Sequence, residues 1–294
     1  MKISVFPNYG SLNSQPVFKA FIEHLQSKNE DVQINKYDNS TDVAVIWSVL
    51  WRGRMEQNRK IWEDFKKQGK PVVVLEVGGI KRNSSWKVGI NGINNDADFA
   101  NQTVDNKRWP LYKIEMKPWK QTGNVIVICG QHNSSLQWKG LPTMRKWLVD
   151  QAKEIRKVTD KPILIRPHPR ELLSLNTEGI KGIRVDLPKR DWKTYDDTNF
   201  KNILKSTWAV VNHSSNPAME AVFNGIPVFV SNSSLCQPVG NVGYADLLKP
   251  NMPNRQNWAN KLAYTEWFVD EIREGKPWAR IRERLLEKYI NAKN

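Results

Sequence analysis

Cysteine is nearly absent from this chain, with two residues, Cys129 and Cys236, among 294. Two thiols so far apart form neither a disulfide framework nor a zinc pattern, so a reducing compartment is expected. Long apolar runs are missing too: no segment approaches the ~20 residues of a membrane-spanning helix, and mean hydropathy is −0.60. Integral membrane association is therefore not expected. Met1-Lys2-Ile3-Ser4-Val5-Phe6 reads as a strand, with no signal-peptide apolar region before Asn8 and Gly10. The expectation is a cytoplasmic protein. No internal repeat, low-complexity tract or metal-ligand spacing is found, and no protein partner is implied. Acidic side chains are also short, 30 against 45 basic ones, for a formal charge of +15.

What is present describes a globular protein. Hydrophobic residues make up 39% and charged residues 26%, outside the range of disordered chains. The length exceeds one usual core and fits two domains. Residues 1–125 carry 19 basic and 13 acidic side chains and the remainder 26 and 17, so the excess belongs to both halves. Such a balance favours a polyanion as partner (nucleic acid, an anionic membrane surface or an acidic glycan), or serves solubility alone. Thirteen tryptophans accompany it, and indoles stack on bases and on sugars. Trp62, Trp147 and Trp267 lie in helical patterns and are expected in the core. Trp86, Trp109, Trp119 and Trp138 lie in loop-like stretches and are the surface candidates.

The hydrophobic pattern alternates between strand and helix periods. Strands are predicted at 3–6, 32–37, 43–47 and 72–75, with helices over 16–26 and 54–67. An aperiodic stretch rich in Asn, Gly and Trp follows, up to a joint at Lys120-Gln121-Thr122-Gly123. The second half offers strands at 125–129, 162–165, 183–185, 209–211 and 227–230. Its helices are predicted at 143–156, 200–205 and 217–223. From Gln256 onward the chain reads as helical. This rhythm predicts an α/β protein with two parallel, doubly wound sheets. The domains are expected at 1–120 and 121–254, with C-terminal helices at 255–294 packing back toward the first.

Two segments at predicted strand ends carry the chemistry. Arg166-Pro167-His168-Pro169-Arg170 follows Ile163–Ile165, and Asn212-His213-Ser214-Ser215-Asn216-Pro217-Ala218-Met219-Glu220 follows Ala209–Val211. Open α/β sheets bind ligands beyond the carboxyl ends of their strands. Pro217 suits a first helical position, with Ser215 or Asn216 as cap. The free amides there would face an anion, and Glu220 one turn later could accept ribose hydroxyls. Phosphate plus sugar suggests a nucleotide. Read as a cap and a turn, the same segments are structural.

The whole pattern resembles the GT-B glycosyltransferases, whose two Rossmann-like domains face each other across a cleft, with C-terminal helices. Ile163-Leu164-Ile165-Arg166-Pro167-His168-Pro169 resembles the His-Pro motif of bacterial capsule and sialic-acid-type transferases. His213-Ser214-Ser215 through Glu220-Ala221-Val222-Phe223-Asn224-Gly225-Ile226-Pro227-Val228 is similar to their Ser-Ser…Glu-Ala…Gly-x-Pro-Val signature. A related signature occurs in sugar-nucleotide epimerases. The resemblance implies donor-phosphate contacts for His168, Ser214 and Ser215, and a ribose contact for Glu220. Gln131, Ser134, Arg166, Arg170, His213 and Asn216 complete the expected donor site. A second resemblance, of Val72–Glu76 and Ile80–Trp86 to phage DNA β-glucosyltransferase, implies that Glu76 is a base; an ion pair to Lys81 or Arg82 is its other reading.

Sugar transfer from a nucleotide builds charge on the leaving phosphate. Cations and helix ends can stabilise that charge without an obligatory cofactor or metal. The acceptor hydroxyl needs a base, and Glu76, Asp98 and His132 are the candidates. His132 lies in the Gly130–Ser135 loop, which also reads as a turn of polar caps. The expected co-substrate is a nucleotide sugar, UDP-glucose-like or CMP-linked. The expected acceptor is a 5-hydroxymethylpyrimidine in phage-type DNA, held by Lys81, Arg82, Trp86, Lys87, Lys107 and Arg108. A capsule or lipopolysaccharide transferase and a non-catalytic nucleotide- or polyanion-binding module are the alternatives.

Overall fold

The computed structural model describes residues 1–291 apart from Gln121, Leu172 and residues 189–198. It divides into two compact units, Met1–Lys113 with Ala259–Asn294, and Ile114–Trp258. The boundary falls a few residues before the joint expected at 120–123, of which Gln121 lies outside the described residues. Residues 117–120 belong to unit 2 because they hydrogen-bond there: the Lys117 amide donates to Phe223 O and the Lys120 amide to Gly225 O.

Unit 1 contains β1 (Lys2–Val5), α1 (Gln15–Ser27), β2 (Asp31–Ile34), β3 (Val43–Trp47), α2 (Glu56–Lys67), β4 (Val72–Val77) and β5 (Ser85–Ile90). β3 is buried along its whole length, as a central parallel strand covered on both faces must be. α1 starts with Pro16 in its first turn and turns Val17, Phe18, Phe21 and Leu25 into the core. α2 buries Ile61, Trp62 and Phe65 on one face.

Unit 2 contains β6 (Val125–Cys129), α3 (Met144–Arg156), β7 (Ile163–Arg166), β8 (Ile183–Val185), α4 (Phe200–Leu204), β9 (Thr207–Asn212), α5 (Pro217–Phe223) and β10 (Val228–Phe229). The order β10-β9-β6-β7-β8 is parallel throughout. The unit boundary lies within α6 (Gln256–Leu262). The chain then returns to unit 1 as β11 (Glu266–Phe268), α7 (Val269–Arg273) and α8 (Lys276–Leu285).

Unit 1 differs from the expected parallel sheet. Its order is β11-β5-β4-β3-β1-β2, with β5 antiparallel to β4 and β11 antiparallel to β5. β5 lies inside the stretch that reads as aperiodic, because its buried residues include Ser85, Lys87 and Gly89 rather than an apolar alternation. A Cβ at Gly89 would stand 2.8 Å from both the Phe99 ring and Gly92 O, so the position must be bare. β11 lies in the segment that reads as helical. Its Glu266 is fully buried, and the carboxylate accepts from the Gly79 amide at 2.7 Å and the Ser85 hydroxyl at 2.7 Å.

That burial overturns half of the expected DNA face. Trp86 is 5% exposed, with its ring centroid 5.8 Å from that of Trp47. Lys87 is buried, its ammonium 3.4 Å from Asn94 Oδ1. Arg108 is buried in an ion pair with Glu271, donates to Ala263 O and Glu266 O, and stacks 3.8 Å from the Trp267 ring. These side chains hold β5 and β11 in place and present no surface to a polyanion. Lys81, Arg82 and Lys107 are exposed. Trp109 and Trp138 are buried as well, so they are not surface aromatics. Trp119 is half-buried, donating its indole N–H to Pro253 O.

Candidate functional site

The site takes shape in unit 2, where β6, β7 and β9 lie side by side and end at the same edge. Three turns leave that edge, Gly130–Ser135, Pro167–Glu171 and His213–Asn216. The Gly130 amide donates to Arg166 O at 2.8 Å, which draws the first two turns together. A Cβ on Gly130 would press 3.3 Å from the His168 amide nitrogen, so glycine lets them approach.

The approach brings the His132 and His168 rings to a centroid distance of 3.9 Å. The Arg170 amide donates to His168 Nδ1 at 3.1 Å, which assigns the ring proton to Nε2. Glu171, which sequence reasoning missed, organises the other ring. Its carboxylate accepts from the Asn133 amide at 2.9 Å and from Asn133 Nδ2 at 2.6 Å, and it stands 3.3 Å from His132 Nδ1. Asn133 Oδ1 in turn accepts from the Met144 amide at 2.8 Å, tying the turn to the start of α3. The only sequence signal for Glu171 was its place directly after the His-Pro-Arg run.

The third turn joins through Gln131, whose buried Oε1 accepts from the Ser214 amide at 3.2 Å and lies 3.4 Å from its hydroxyl. The Ser215 hydroxyl accepts from Asn212 Nδ2 at 2.5 Å and keeps its own proton to donate. Asn216 precedes α5 without a side-chain cap bond, and Pro217 opens the helix. Glu220 is half-buried. Burial raises its carboxyl pKa above the ordinary range, with Lys201 opposing. Beneath it, burial pushes the Cys129 thiol up to about 12, so this thiol stays protonated. Ser134 and Arg170 are exposed at the rim.

Two expected donor residues have other tasks. Arg166 is 4% exposed and pairs with Asp186, just past β8. That pairing ties neighbouring strand ends together. The His213 ring packs edge-on against Trp138, 5.1 Å between centroids, and reaches the Ser233 hydroxyl at 3.2 Å. Burial lowers its pKa, favouring the neutral ring.

Unit 1 places the other base candidates. Glu76 lies in β4, and its Oε2 accepts from the Ser48 hydroxyl at 2.5 Å while Oε1 accepts from the Val77 amide at 2.7 Å. Ser48 leaves β3 at φ 62°, a conformation that serine adopts rarely. Asp98 is pinned by Arg284 at 2.7 Å and Lys288 at 3.3 Å. Burial works against its ionisation, yet Arg284, the Ala100 amide and Gln102 together hold its pKa below the ordinary range. A carboxylate so committed is a poor proton acceptor, and Asp98 is a structural anchor for α8.

Among the described residues no group of three metal-ligating side chains is assembled, and no helix is long and apolar enough to cross a membrane.

No protein-family model and no curated protein sequence matches this chain. Solved structures do. The β-Kdo 2,7 transferase of KpsC from Thermosulfurimonas dismutans superposes with a TM-score of 0.52 at 15% identity, covering 97% of this chain and 100% of that one. The β-Kdo 2,4 transferase of KpsC from the same organism gives 0.50 at 13% identity, covering 90% of each. With its two α/β units, the chain has a GT-B-type fold.

Proposed function

We propose that this protein transfers a sugar from a nucleotide-sugar donor to a hydroxyl of an anionic glycan, with unit 2 holding the donor. One observation carries the reading: three turns at one parallel sheet edge gather His132, His168, Gln131, Ser214 and Ser215. A phosphate ester suits this set, since His168 Nε2 and the Ser215 hydroxyl are both donors. Glu220, one helical turn on, is the acceptor for ribose hydroxyls. Glu76 is the carboxylate assigned to take the proton of the acceptor hydroxyl.

The likeness to two chains named for Kdo transfer supports the glycan reading over DNA, and the resemblance of the His168 segment to a His-Pro motif favours a CMP-linked sugar over UDP-glucose. The charge of +15 is compatible with an acidic acceptor. The burial of Trp86, Lys87 and Arg108 removes three of the six residues expected to hold DNA.

The test pairs labelled CMP- and UDP-sugars with an acidic glycan primer or with hydroxymethylated duplex DNA. Label entering the glycan is the expected result, and label entering DNA alone overturns the acceptor. Nucleotide binding without transfer to either would mark a non-catalytic module. Glu76→Gln should bind donor normally and lose transfer by orders of magnitude, as removal of a base does.

A further inference from the structure

In unit 1 the carboxylate assigned as base is held from a position where the backbone is strained. β3 and β4 run side by side with Trp47 opposite Leu75, so the next residue of each, Ser48 and Glu76, are neighbours. The Ser48 amide continues the ladder, donating to Leu75 O at 2.8 Å. The chain then turns at φ 62°, in the left-handed region that favours glycine. Asn58, fully buried on α2, secures the preceding carbonyl: its Nδ2 donates to Trp47 O at 2.7 Å and to Tyr9 O at 3.2 Å. Backbone strain of this kind persists where neighbours over-determine it, and it gathers at working sites.

The Ser48 hydroxyl accepts from the Leu50 amide at 3.1 Å and gives its one proton to Glu76 Oε2 at 2.5 Å. The Val77 amide holds Oε1 at 2.7 Å. Leu50 N–H, Ser48 O–H and the Glu76 carboxylate thus form a hydrogen-bonded chain of fixed direction. Ser48 is 3% exposed, whereas Glu76 is half-buried, so the donor is sheltered and the carboxylate still meets solvent.

We propose that Ser48 is a positioning residue for sugar transfer: its hydroxyl aims the Glu76 carboxylate at the acceptor hydroxyl, and its left-handed backbone places that donor. The proposal rests on the reading of Glu76 as the base and adds the group that orients it. In the step concerned, the acceptor oxygen bonds the anomeric carbon and its proton passes to Glu76. The sugar–phosphate bond breaks, and its electron pair leaves on the phosphate. A base works only within hydrogen-bond reach of the proton it removes, so a carboxylate left to rotate loses rate rather than donor affinity.

Ser48→Gly removes the hydroxyl and suits the backbone. With labelled CMP- or UDP-sugar and an acidic glycan primer, it should lower kcat about thirtyfold and leave the donor KM within about twofold. Ser48→Cys, a weaker donor in the same place, should fall between it and wild type. In a Glu76→Gln background, Ser48→Gly should change the residual kcat by less than about twofold, because no carboxylate remains to be aimed. Circular dichroism and thermal melts check the fold of each variant, and Ser48→Cys carries the comparison if Ser48→Gly does not fold.

A wild-type kcat in the Ser48 variants would overturn the proposal and leave Glu76 as the base. A loss that persists in the Glu76→Gln background, or that lies in the donor KM, would mark a structural role and overturn it as well. Full activity in Glu76→Gln would remove the base assignment together with this proposal. Wild-type protein that transfers no sugar would overturn the nucleotide-sugar reading and the proposal with it.

Discussion

Arg108 offers the sharpest separation between a polyanion contact and a structural pin. Its guanidinium pairs with Glu271, donates to Ala263 O at 2.9 Å and Glu266 O at 2.9 Å, and lies 3.8 Å from the Trp267 ring. Side-chain exposure is 8% for Arg108 and 10% for Glu271, so water cannot replace either partner. Arg108→Met would leave the buried Glu271 carboxylate without its cation and take one donor from two carbonyls that the Tyr112 hydroxyl also reaches. Breaking a buried pair from one side costs about 3–5 kcal/mol. In a unit of this size each kcal/mol moves Tm by about 2–4 °C, so the expected drop is about 6–20 °C. The double variant Arg108→Met/Glu271→Met should recover much of that loss, since apolar replacement of both partners is often nearly neutral. Differential scanning fluorimetry measures both. A salt titration of binding to an anionic polymer should show the same slope for Arg108→Met as for wild type. A Tm loss under 2 °C, or a flattened salt slope, would refute the assignment of Arg108 as a pin.

Trp86→Ala should act in the same class: removing a buried indole packed on Trp47 should cost about 3–5 kcal/mol in urea denaturation. Any loss of transfer should track unfolding rather than the nature of the acceptor. Gly225→Ala should block folding of unit 2, because the new Cβ would lie 1.9 Å from Pro118 O at a φ of +73°; soluble yield and Tm read this directly. Glu220 predicts a pH effect. Its folded pKa is raised, so the stability it contributes is present below the unfolded value and is lost as pH rises through the folded one. Glu220→Gln should therefore raise Tm at pH 7.5, with the gain fading on acidification to pH 4, while CMP binding weakens.

The sequence by itself determined the elements whose residues share one environment along their length. β3, β6 and β8 match their predicted bounds, as does α5. β3 is buried on both faces, and α5 announces its start with Pro217, so local pattern and final position coincide. The His-Pro and Ser-Ser segments were legible for the same reason, since each follows such a strand and the strand end sets where it lies. Tertiary structure alone decided the rest. β5 and β11 exist because Glu266 accepts hydrogen bonds from residues 79 and 85, a partnership spanning 187 positions that no local window contains. Arg108, Arg166 and Asp98 looked like available charges; folding brings each a partner of opposite charge. Glu171 gave the opposite lesson. It is unremarked in sequence, and it gains its place when two strand ends bring His132 within 3.3 Å of it. A side chain's chemistry can be read from its identity, but whether that chemistry is available depends on which partners the fold delivers and how far water is excluded.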